Sequence, residues 1–122
     1  NLVLLNVSVN VTTAPAAVAG LMLAFNALNA TPPATTTTAT VTNAIIGFTG
    51  TPKGQCFRIA TLAAAPVAFN FIGSVGAAST ALTTLFTNID GLVIVPPGVA
   101  ISVQATSAIA ITANFTWKEI VI

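Results

Sequence analysis

The sequence has no histidine and no tyrosine, a single cysteine, and only five charged side chains in 122 residues. Each scarcity removes a class of chemistry. Without histidine, Cys56 cannot form a Cys–His nucleophilic pair, and a lone cysteine forms no internal disulfide. Cys56 therefore reads as a small apolar residue in a strand-like segment. A general acid and base would have to be assembled from Asp90 and Glu119, the only two carboxylates, and a calcium site built on that pair would lean on backbone carbonyls. Lys53, Arg58 and Lys118 stand far apart in the sequence. Nucleic-acid binding needs clustered cations, so that partner is not expected. The glycines show neither G-x-G-x-x-G nor P-loop spacing. The expectation is a protein without a cofactor, a metal or enzymatic activity.

Charge is the most informative shortage. Charged residues make up 4% of the chain, against about 25% in ordinary soluble domains, while 55% of residues are hydrophobic and the mean hydropathy is +0.96. A compact monomer of this mass exposes roughly 6,000 Å², which five charged side chains cannot cover. Threonine, asparagine and serine can supply a neutral coat, but a formal net charge of +1 favours association. A homo-oligomer is expected, and a homotrimer in particular, because the strand edges also lack the lysines that usually protect them. No membrane partner is expected. The most apolar run, Ala14 to Leu28, includes Asn26 and falls short of the roughly 20 residues that span a bilayer. The start of the chain lacks the basic region of a signal peptide and is not Met, so processing or trimming is expected.

What is present is alternation. From Val3 to Thr13 the apolar positions Val3, Leu5, Val7, Val9 and Val11 interleave with Asn6, Ser8, Asn10 and Thr12, the period of a strand with one wet face. Pro15 ends it. Residues Ala16 to Leu28 fit either period, and Gly20 in mid-segment favours a strand. The stretch NATPPATTTT, Asn29 to Thr38, reads as a loop. Strands are expected over Thr40–Phe48, Gln55–Leu62 and Val67–Ile72, with a turn at Thr49–Gly54. Gly73–Ser79 reads as a loop, Thr80–Asn88 as a short strand or helical turn, and Asp90-Gly91 as a hairpin dipeptide. Near the C-terminus, Val93 and Val95 lead into Pro96-Pro97-Gly98, Ile101 and Val103 resume the pattern, and Ile109, Ile111, Ala113, Phe115 and Trp117 form the longest clean alternation. The count and spacing give an all-β chain of about eight strands: one antiparallel β-sandwich domain over residues 1–122, jelly-roll-like.

Two details go beyond architecture. Sequons occur at Asn6, Asn10, Asn29 and Asn114, only slightly more than an Asn- and Thr-rich chain gives by chance. Continuing the last alternation puts Glu119 in phase with Phe115 and Trp117, so that either a bulge turns the carboxylate outward or it is partly buried and needs a partner. Of the three cations, Lys53, Arg58 and Lys118, Arg58 of the same or an adjacent subunit is the favoured partner because its planar fork matches a carboxylate. Arg58, Trp117 and Glu119 are therefore the candidate structural or interface residues.

The segment Asp90-Gly91-Leu92-Val93-Ile94-Val95-Pro96-Pro97-Gly98, the alternating strand after it, and the closing Phe115-Thr116-Trp117-Lys118-Glu119-Ile120 resemble the C-terminal end of small tailed-bacteriophage virion proteins. The resemblance covers about 30 of the 122 residues. It implies a jelly-roll head decoration or related protein on the virion surface, partnered by its own copies and by the major capsid protein or another virion protein, and it implies no active site. Two other roles compete: an extracellular fibre subunit assembled by strand donation, and a carbohydrate-binding sandwich, which the single Trp and absent Tyr disfavour.

Overall fold

A computed structural model describes residues 1–27, 33–34, 37–42, 50–58, 62, 64–78 and 83–120. These residues form eight strands and no helix: β1 (Leu2–Thr13), β2 (Ala19–Ala27), β3 (Thr37–Ala39), β4 (Cys56–Arg58), β5 (Val67–Val75), β6 (Thr84–Val95), β7 (Val99–Ala105) and β8 (Ala110–Glu119). All pairings are antiparallel. One sheet has the order β6-β1-β8, the second β5-β2-β7, and β3 and β4 form a separate small pair. The expected β-sandwich is thus the observed fold. The first strand lies beside the last, and the second beside the seventh, as the chain winds back and forth between the two sheets.

The core is where the inner faces of the two sheets meet. Leu4, Val7, Val9 and Val11 of β1 pack with Leu21 and Leu23 of β2, Val75 of β5 and Ile89 of β6, and half-buried Ile101, Val103, Ile111 and Phe115 close around them. The β-branched residues of β1 suit this pleated, one-sided burial. One detail of the expected pattern is corrected. Val3 and Leu5 are only half-buried, and Leu4 takes the core position. Leu4 pairs with Trp117 and Asn6 with Thr116, so Leu5 is an extra residue against β8 and shifts the phase of everything before it by one.

Other expectations shift for similar reasons. Thr37 and Thr38, expected in a loop, belong to β3, and Gly73, Ser74 and Val75 extend β5 rather than leaving it. Of the strand expected at Gln55–Leu62, Cys56–Arg58 is strand and Leu62 is not, and residues 59–61 lie outside the described set; of the Thr40–Phe48 expectation, residues 40–42 are not strand and 43–48 lie outside that set. Of the ambiguous segments 16–28 and 80–88, Ala19–Ala27 is β2 and Thr84 onward is the start of β6, while residues 28 and 80–82 lie outside the described set. Asp90-Gly91 does not make a hairpin. Both residues have positive φ, 50° and 80°, yet the strand continues on either side against the same partner. Val93 still pairs with Leu4 and Asn88 with Asn6. Four residues of β6 therefore face Leu5 alone, and the two left-handed residues form a wide bulge on an edge strand.

The Pro96-Pro97-Gly98 turn is observed as expected, but it carries the chain from one sheet to the other. The Val99 N–H donates to the Pro96 carbonyl at 3.3 Å, and Gly98 has φ +80°, the pattern of a type II turn with proline and glycine at its two centres. A Cβ at Gly98 would meet no atom within 4 Å, so a side chain there acts through backbone strain alone. Gly98→Ala is expected to lower stability by about 1–2 kcal/mol, with Gly98→Asn costing less, as read from urea unfolding midpoints. Equal stability of Gly98→Ala and the parent chain would contradict the left-handed turn.

Candidate functional site

Among the described residues no group of three His, Cys, Asp or Glu gathers. The residues singled out from the sequence lead instead to the end of the sandwich where β1 begins and β8 stops. Asn1 and Ile120 exchange backbone hydrogen bonds there, at 2.9 and 3.0 Å. The alternation of β8 does carry Glu119 to the same side as Trp117, level with Leu2. Its carboxylate is exposed and partnered: Oε1 accepts from the N–H of Gly54 at 2.8 Å, and both oxygens accept from the N–H of Lys53, at 2.9 and 3.1 Å. The Trp117 indole N–H approaches Oε1 at 3.5 Å.

The partner is therefore backbone, which corrects the choice of Arg58. Arg58 is exposed on β4, opposite Thr37, with no contact to Glu119. The segment 50–54 brings successive peptide N–H groups together, and such a pair holds a carboxylate chiefly through the backbone, the Lys53 charge adding a smaller pull. The absence of a side chain at Gly54 makes the approach possible: a Cβ would lie 3.2 Å from the Trp117 ring and 3.3 Å from Leu2. The hydrogen bonds from Gly54 and Lys53 hold the Glu119 carboxyl below its ordinary value of 4.5, outweighing a small opposing effect of desolvation. Trp117 and Glu119 thus belong to one cluster that fastens residues 53–54 across the sandwich end. The turn signal at Thr49–Gly54 marked this segment, but nothing in the sequence marked its peptide N–H groups as the partner, because a backbone N–H carries no residue identity.

The surface beyond this end divides sharply. The outer face of β6-β1-β8 carries Asn6, Ser8, Asn10, Thr84, Asn88, Thr112, Asn114 and Thr116 in paired rows, with the Thr84 hydroxyl donating to Asn10 Oδ1 at 3.1 Å. Three of the four sequon asparagines share this face; Asn29 lies outside the described residues. One exposed apolar ring, Phe86 opposite Ser8, interrupts these rows, and the rest of the apolar exposure lies elsewhere. Among the described residues nine large hydrophobics are exposed, and six of them belong to two edge strands: Val67, Phe69 and Phe71 on β5, and Phe86, Leu92 and Ile94 on β6. Leu92 is 88% exposed and Phe86 65%. The two strands touch where Gly73 lies against the Leu85 side chain. Cys56 is half-buried on β4.

Inside, Asn26 is nearly buried on β2. Its Nδ2 donates to the Ala64 carbonyl at 2.6 Å, while its Oδ1 has no partner among protein atoms. This contact ties Ala64 to β2. No helix of the described residues is long and apolar enough to cross a membrane. Compared with protein-family models, curated proteins and solved structures, the chain matches none.

The Glu119 cluster makes a pH prediction with a definite sign. Because the carboxyl titrates lower in the folded chain than in the unfolded one, its contribution is complete above 4.5 and is lost as pH falls through the lower folded value. The group is exposed, so the contribution is below about 1 kcal/mol. Trp117 is the only tryptophan and reports on the cluster directly. Its emission is expected to shift on acidification below 4.5, and Glu119→Gln is expected to remove most of that shift. Glu119→Ala and Arg58→Ala are expected to add to within about 0.5 kcal/mol. A larger coupling would restore the ion pair excluded by the geometry.

Proposed function

We propose that the chain is a non-enzymatic structural subunit of a virion, a surface or decoration protein that associates with its own copies and with the shell. The observation that carries the reading is the distribution of exposure. The chain leaves nine large hydrophobics exposed among its described residues. Its exposed phenylalanines and aliphatic side chains are concentrated on the edge strands β5 and β6, where neighbouring chains dock most readily. With 4% charged residues, little on the surface opposes such docking. The resemblance of the Asp90–Gly98 and Phe115–Ile120 segments to tailed-phage virion proteins points to the same role.

The fibre reading is less well supported. It requires Leu2–Thr13 to complete a neighbour's sheet, whereas β1 is hydrogen-bonded on both sides within its own chain and supplies Leu4, Val7, Val9 and Val11 to its own core. A sugar platform on Trp117 is likewise disfavoured, because that ring is half-buried with Gly54 against it.

Quantitative mass spectrometry of purified phage particles that encode this chain tests the proposal. Peptides of the chain are expected in intact particles at a copy number comparable with that of the shell protein. Recovery only from the soluble lysate, with none in washed particles, would overturn it.

A further inference from the structure

The sheet β6-β1-β8 ends in two different edges: β6 carries one charge, Asp90, and β8 carries Lys118 beside Glu119. Asp90 is exposed in the bulge of β6, and Lys118 is exposed on β8. With Glu119 engaged by Lys53 and Gly54, Asp90 is the one carboxylate of the described residues with no partner on its own chain, and Lys118 has no ion-pair partner among them either. Both residues can be placed along the sheet through β1. Lys118 is level with Val3, and the bulge containing Asp90 lies opposite Leu5. Two residues of strand separate those levels, about 7 Å, which a lysine side chain can span.

We propose that the partner of the β6 edge is the β8 edge of a second copy of this chain, and that copies related by rotation about an axis along the strands close into a ring. This deepens the reading of the chain as an assembling subunit and depends on it. Rotation about such an axis preserves height along the strands, so Asp90 of one copy stays about 7 Å in height from Lys118 of the next, within reach of the lysine side chain. Phe86, level with Ser8 and Asn114, meets the uncharged middle of β8. Ile94, level with Lys118 through Val3, meets that lysine's aliphatic stem. No like charges face each other in this arrangement. β6 and β8 run in the same direction, both antiparallel to β1, and the bulge at 89–92 interrupts the edge of β6. The contact is therefore made by side chains, and a continuous shared ladder is not formed. Because the two surfaces differ, the contact is heterologous and needs more than two copies to close.

Native mass spectrometry of the full chain across a concentration series tests this. The parent chain is expected to give a closed species of three or more copies. Lys118→Glu places two acids together across the contact and is expected to raise the concentration at which the ring forms by about tenfold or more. Asp90→Lys is expected to do the same, and the double exchange to recover most of the loss. Asp90 has positive φ, which lysine tolerates poorly, so two substitutions at exposed positions serve as independent variants: Lys118→Glu itself, and Phe86→Ser. Each is expected to leave the circular dichroism spectrum unchanged while dispersing the ring. A monomer or a two-copy species for the parent chain would overturn the proposal, as would Lys118→Glu and Phe86→Ser variants that assemble like the parent. Incorporation into particles is measured separately, so a ring built through other surfaces would remove this inference and leave the virion reading standing.

Discussion

Everything in this molecule depends on β1 being held from both sides. It is the central strand of its sheet, bonded to β6 along one edge and β8 along the other, and its inner face supplies four of the buried core residues. A strand so placed must satisfy its backbone twice and its side chains once. It can do so only if its apolar phase matches both neighbours. The extra residue Leu5 is where that match is adjusted: the ladder to β8 skips one residue there, and β6 bulges across the same point. Two features of the surface follow from this single irregularity. The bulge exposes Asp90 and Leu92 on a sheet edge, and the phase shift brings Trp117 level with Leu4 and Glu119 level with Leu2.

The same adjustment explains what was and was not legible in the sequence. The strict alternation of Val7, Val9 and Val11, and of Ile111, Ala113 and Phe115, marks strands whose two faces differ, and these are the residues that meet in the core. Where the register slips, alternation misleads. Val3 and Leu5 read as core because a bulge leaves no mark in composition. Asp90-Gly91 read as a hairpin because the residues that tolerate positive φ serve bulges and turns equally well. Gly73 and Ser74 read as loop because small residues look like linkers, although the side chain of Leu85 occupies the space above Gly73.

The candidate site was legible in half. The phase of β8 did bring Glu119 to the Trp117 side, and the need for a partner followed from that. The partner's identity did not, since the choice was made among side chains and the answer was two peptide N–H groups at Lys53 and Gly54. A carboxylate held in this way needs a tight turn and a missing Cβ more than it needs a cation. Arg58 is left exposed on β4, without a role in the cluster.

The central proposal is that the exposed apolar side chains of β6 are covered by the β8 edge of a neighbouring copy. Hydrogen–deuterium exchange, followed at protein concentrations above and below the association midpoint, measures this most directly. The account predicts added protection at high concentration concentrated in β6 and β8, with the central strands β1 and β2 equally protected at both. Exchange that is independent of concentration throughout, or protection gained uniformly along the chain, would contradict it.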